Sequence, residues 1–172
     1  PRESMMPGPE TSSPPSCDAL IAGGGVAGLA LALALRQGSA GTLAVRLHDP
    51  ALAKPPGRRA FAIAAGTRRM LETLGVWSAI SAGAQPLTAM DITDSALEEP
   101  VRPLFLSFEG EVEPGEAFAH MIEEGPLAEA LRGAAEGAGV TFSSAAISGF
   151  AAGRERIAMQ AADGTAIAAR LL

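Results

Sequence analysis

What the sequence has little of narrows its reading before any motif is considered. A single cysteine, Cys17, permits neither an internal disulfide nor a thiolate metal centre. A reducing, cytoplasmic setting without a metal site is therefore expected. Positive charge is also scarce: 13 Lys and Arg stand against 19 Asp and Glu, a net charge of −6. That balance offers no basic surface to the phosphates of a nucleic acid, so a nucleic-acid partner is not expected. Internal repeats and long low-complexity segments are absent. The one long uncharged run, Ala19 to Leu35, has 17 residues. A membrane-spanning helix needs about 20 apolar residues, and Gly23, Gly24 and Gly25 would weaken one here. The first residues, Pro1 to Ser16, lack the basic start and continuous apolar run of a secretory signal.

What is present describes one globular unit. Hydrophobic residues make up 48% and charged residues 19% of 172, enough to build a core but short for a complete two-domain redox enzyme. Residues 1–17 read as a flexible tail and 18–172 as one α/β domain, with a chain end, Ala168 to Leu172, that looks like a strand cut before its loop.

Asp18 to Ala22 is a short apolar run that reads as a strand buried on both faces. Val26 to Gln37, dense in Ala and Leu and closed by Gly38, reads as a helix apolar nearly all round and hence buried. Leu43 to Leu47 gives a second strand, halted at His48-Asp49-Pro50, and the three pieces make one βαβ unit with a parallel sheet. The prolines from Ala51 to Gly57 mark a loop. Thr67 to Trp77 has helical spacing with an interruption near Gly75. Leu87–Asp94 and Leu104–Phe108 read as strands of an inserted second sheet, about residues 85–122. Pro126 suits the first turn of a helix that ends at Gly139 and leads to a main-sheet strand at Val140–Phe142. Ala146–Ala151, Arg156–Ala161 and Ala166–Leu172 form a meander with turns at Ala152-Gly153 and Asp163-Gly164.

Gly23-Gly24-Gly25-Val26-Ala27-Gly28 satisfies Gly-x-Gly-x-x-Gly between a predicted strand and a predicted helix. In this pattern Gly23 permits the tight turn, Gly25 lets backbone approach a pyrophosphate, and Gly28 lets the helix pack closely. The helix start, through Val26 and Ala27, offers free N–H groups and partial positive charge to phosphates. Asp49, 26 positions after Gly23, ends the next strand and is placed to accept from ribose hydroxyls. Its charge opposes a 2′-phosphate, which favours FAD or NAD over NADP. The competing reading is an ordinary tight turn with Asp49 capping a loop. His48 and His120 read as structural or solvated.

Arg59-Ala60-Phe61-Ala62-Ile63-Ala64, Arg69-Met70-Leu71-Glu72-Thr73-Leu74-Gly75-Val76-Trp77, Gln85-Pro86-Leu87 and Met90-Asp91-Ile92-Thr93-Asp94 together resemble the ubiquinone-biosynthesis aromatic hydroxylases, flavin monooxygenases related to para-hydroxybenzoate hydroxylase. The resemblance runs from Asp18 to Leu172. It implies a Rossmann-like FAD-binding fold with the inserted strands on the substrate side, FAD as cofactor and NAD(P)H as co-substrate. It also implies a prenylated aromatic quinone precursor as substrate and a setting peripheral to the inner membrane or in a biosynthetic complex. Arg59 matches an arginine that lies beside the flavin pyrophosphate in that family. Where members often carry Glu-Asn-Arg before the third helix, this chain has Glu123-Glu124-Gly125, and the family's later Asp-Gly and Gly-Asp motifs do not occur. An N-terminal part of such an enzyme is therefore expected, with no catalytic acid or base assigned. A nicotinamide dehydrogenase and a non-catalytic dinucleotide-binding fragment stand as alternatives.

Overall fold

The computed structural model describes residues 16–54, 57–96 and 98–171. The strands are β1 (Ser16–Ala22), β2 (Val45–His48), β3 (Ala60–Ala64), β4 (Gln85–Leu87), β5 (Ala89–Thr93), β6 (Leu104–Glu109), β7 (Glu111–Glu113), β8 (Glu116–Ala117), β9 (Ala119–Glu123), β10 (Thr141–Ser143), β11 (Ile147–Ala152), β12 (Ile157–Ala161) and β13 (Ala166–Leu171). The helices are α1 (Val26–Gly38), α2 (Ala65–Thr73), α3 (Trp77–Ile80) and α4 (Glu124–Gly137). No helix among the described residues is long and apolar enough to cross a membrane.

Six strands form the main sheet in the order β10-β2-β1-β13-β12-β11. The first four are mutually parallel, as βαβ crossovers require, and the last two turn back antiparallel as the expected meander. One core face holds Ile21, Leu29, Leu33, Leu47, Leu127 and Leu131, packing α1 and α4 on the sheet. On the other face Leu20, Met159, Ile167 and Ala169 make a second cluster. In α4 the buried positions Leu127, Leu131 and Ala135 recur every four residues and are fully covered. Each such leucine contributes about 1.5–3 kcal/mol of transfer free energy.

Helix stops follow local chemistry. At Gly75, φ is +74°, and the bonds Gly75 N–H to Glu72 O (2.9 Å) and Val76 N–H to Leu71 O (2.9 Å) close the end of α2. The chain restarts as α3 at Trp77, so the expected interruption near Gly75 separates two helices. Arg36, in the last turn of α1, donates to Ala138 O (2.7 Å), Gly41 O (2.7 Å) and Leu43 O (2.5 Å). One guanidinium thereby ties the ends of α1 and α4 to the loop before β2.

Several expectations need correction. β1 begins at Ser16, so Ser16 and Cys17 belong to the sheet; residues 1–15 of the expected tail lie outside the described residues, as do Pro55, Pro56 and Leu172. Helix α1 is not covered all round, since Leu31 and its neighbours Ala27 and Ala34 are exposed. The sheet and α4 occupy two of its sides and leave a third open. The expected strand Leu87–Asp94 divides at Thr88 into β4 and β5, which join different sheets. β4 pairs with β9, and β9 with β3, while β5 and β6 form a separate hairpin. The sequence reading assigns no element to Ala60-Phe61-Ala62-Ile63-Ala64, which is rich in alanine, a weak strand former; pairing with β9 along all five residues makes it strand β3.

Candidate dinucleotide-binding site

The glycine segment leaves β1 and turns directly into α1. Gly23 has φ +116°, a conformation open only to glycine, and its N–H donates to His48 O at 2.9 Å, which clamps the turn to the end of β2. At Gly28 a Cβ would stand 2.0 Å from Gly23 O, so the bare Cα is what lets α1 approach the turn. A Cβ on Gly24 would meet the Leu52 and Leu47 side chains at 2.9 and 3.1 Å. Gly25 differs. As N-cap of α1 it has φ −69° and ψ 174°, open to any residue, and a Cβ there would meet nothing within 4 Å. Neither conformation nor packing requires a glycine at this position, yet it faces the cleft.

The first intrahelical bond of α1 runs from Leu29 N–H to Gly25 O (3.0 Å), so the N–H groups of Val26, Ala27 and Gly28 lie ahead of it with no intrahelical acceptor. Three free donors and the positive end of a 13-residue helix thus point to one place.

Asp49 joins the two halves of the site. Its Oδ2 accepts from Gly24 N–H at 2.6 Å and its Oδ1 from Ala51 N–H at 2.6 Å, the latter capping a short 3₁₀ turn, Pro50–Ala53. The loop-capping role weighed from the sequence is therefore real. Each carboxylate oxygen keeps a second lone pair, so capping and ribose binding are compatible.

These groups line a cleft of about 380 Å³ shared by Gly24, Gly25, Val26, Asp49, Arg59 and Glu124. Arg59 stands at its rim with a side chain 74% exposed and meets Glu124, only 12% exposed, through Nη2 to Oε1 (2.6 Å) and Nε to Oε2 (3.1 Å). The guanidinium holds the Glu124 carboxyl below its ordinary pKa. Gly23, Ala27 and Gly28 belong to the same turn and first helical turn but lie outside the cleft lining.

Sequence reading missed the contribution of α4. Arg132 reaches the same cleft, donates to Leu52 O (3.1 Å) and Glu136 Oε1 (3.0 Å), and lies over the Phe142 ring at 5.8 Å. Its position one residue after the buried Leu131 is the helical signal that puts it beside the Asp49 loop. The two histidines lie elsewhere. His48 is buried on the opposite face of the sheet, and His120 stands edge-on to Trp77 with ring centroids 5.2 Å apart. Burial is the leading cause that lowers the pKa of both. Among the described residues no group of acidic, His or Cys side chains is arranged to hold a metal.

The sequence profile of the family described as "FAD binding domain" matches residues 16–163. The chain belongs to this family. Its FAD binding domain is 32% identical over 127 residues to the ubiquinone hydroxylase UbiL of Rhodospirillum rubrum, covering 72% of this chain and 28% of that protein. Among solved structures, the flavin-dependent monooxygenase PieE in complex with FAD and substrate superposes with a TM-score of 0.69 at 18% identity, over 92% of this chain and 30% of PieE. The Diels-Alderase PyrE3 superposes with a TM-score of 0.64 at 17% identity, over 90% of this chain and 31% of PyrE3. The chain thus spans under a third of each of these relatives. The resemblance read from the sequence holds at the level of family and fold. At these identities the structural likeness speaks for fold alone, and a Diels-Alderase shares that fold, so activity has to be argued from the site.

Proposed function

We propose that Gly23–Gly28 and Asp49 hold the ADP end of FAD, and that the protein acts as a flavin-dependent monooxygenase hydroxylating an aromatic ring of a polyprenylated ubiquinone precursor, with NAD(P)H and oxygen as co-substrates. The observation that carries the cofactor assignment is Gly25: an N-cap glycine that the fold does not need, facing a cleft beside unpaired helix N–H groups. A cradle left open where a Cβ would sit suits a phosphate that approaches backbone. The likeness to a ubiquinone hydroxylase supports the substrate class.

In this reading the N–H groups of Val26, Ala27 and Gly28 donate to the diphosphate, the free lone pairs of Asp49 accept from ribose hydroxyls, and Arg59 presents guanidinium N–H donors at the rim. When bound, FAD supplies the redox chemistry that uses oxygen on the aromatic ring, while the protein orients the cofactor. We place the protein in the cytoplasm, peripheral to the inner membrane where a prenylated substrate resides.

The test is to titrate the protein with FAD, NAD and NADP separately, then to follow NAD(P)H oxidation and hydroxylated product with a prenylphenol. FAD binding is expected of this chain, and substrate-dependent hydroxylation only of a protein of the length of its relatives, of which the chain spans under a third. NAD binding without FAD binding would favour a nicotinamide dehydrogenase and overturn the proposal.

A further inference from the structure

We propose that Glu124 is a positioning residue that fixes the Arg59 guanidinium at the rim of the cleft, with its outer edge turned to the diphosphate. The inference rests on the dinucleotide reading of the cleft and concerns a residue at which this chain departs from the pattern it resembles.

An arginine 74% exposed and held by nothing would be a mobile cation, costly to order around a ligand. Here one edge of the fork, Nε and Nη2, is engaged by both Glu124 oxygens. The Phe61 ring supports the guanidinium at 5.5 Å, and Glu124 N–H donates to Arg59 O at 2.8 Å. Among the described residues Nη1 takes no partner. Since a guanidinium carries five donors in a rigid plane, a carboxylate on one edge leaves a second edge free for a phosphate.

The carboxylate has a built seat. A Cβ on Gly57 would stand 2.2 Å from Glu124 Oε2, so the glycine makes room for it. Other charges on this cleft are Asp49, Lys54, Glu129 and Arg132. Alone, Glu124 would repel a phosphate. Paired, it forms a neutral unit with Arg59, and the ordering of the guanidinium outweighs the repulsion.

Three variants test this, with FAD, ADP and adenosine as separate probes. Glu124→Gln, which removes the charge, is expected to raise Kd for FAD and ADP about tenfold. Gly57→Ala, which displaces the carboxylate without altering any charge, is expected to do the same. Adenosine, lacking phosphate, should bind all variants equally. In an Arg59→Ala background Glu124→Gln should no longer weaken ADP binding and should instead strengthen it, because it removes an unpaired anion, a reversal of sign that a merely structural role would not give. ADP affinity unchanged or increased in both single variants would overturn the proposal and mark Glu124 as a competitor for Arg59. Failure of the unaltered protein to bind either FAD or ADP would instead overturn the dinucleotide reading on which the proposal rests.

Discussion

Two glycines three residues apart, Gly25 and Gly28, are predicted to behave in opposite ways. Gly28→Ala puts a Cβ 2.0 Å from Gly23 O, more than 1 Å inside normal contact, and backbone on the other side of the overlap cannot rotate away as a side chain would. Overpacking of this kind costs about 1–3 kcal/mol or more, against at most about 1 kcal/mol regained from alanine's helix propensity. Gly25→Ala meets no atom within 4 Å and needs no change of backbone angle, so its effect on stability is limited to the N-cap preference, about 1 kcal/mol or less. For a chain of this size each kcal/mol shifts Tm by roughly 2–4 °C. Thermal melts should therefore show Gly28→Ala well below the parent and Gly25→Ala close to it. Flavin fluorescence titration should show the reverse pattern for cause: Gly25→Ala, and more strongly Gly25→Val, lose FAD affinity while staying folded. The reasoning is refuted if Gly25→Val binds FAD like the parent, or if Gly25→Ala is destabilised as much as Gly28→Ala.

Further outcomes are expected. Arg36→Ala leaves three carbonyls without their charged donor and should lower stability by about 2–3 kcal/mol in urea unfolding; Arg36→Lys should recover only part, because an ammonium lacks the fork that spans them. Asp49→Ala removes the acceptors of Gly24 and Ala51 N–H groups, so both Tm and FAD affinity should fall, by about 1–3 kcal/mol for stability. Burial lowers the pKa of His48 and His120 below 6.5, so between the lowered values and 6.5 the unfolded chain binds more protons than the folded one. Their neutral forms contribute stability above about pH 6.5 that is lost as pH falls through the folded-state values. Melts at pH 7.5 and 5.5 should show a drop in Tm that is smaller in a His48→Gln, His120→Gln variant; an equal drop would exclude the histidines as its source.

The local part of this protein was legible in the sequence because its signals are local. Gly23, Gly25 and Gly28 between an apolar strand and an Ala/Leu helix, followed by Asp49 at the end of the next strand, specify a βαβ turn through backbone freedom and spacing alone. Gly75, Gly139 and Gly164 likewise end their elements where positive φ is required. Tertiary structure decided what depends on pairing across the chain. Alanine-rich β3 becomes a strand only because β9, some 60 residues later, pairs with it, and Thr88 divides one apolar run between two sheets because β4 and β5 find different partners. Arg132 and Glu124 reach the cleft only because α4 packs beside α1, and Glu124 meets Arg59 across a separation of 65 residues. Period and spacing carry information over one or two turns of chain, whereas the partners of an exposed arginine or a weak strand are fixed by burial in the assembled core.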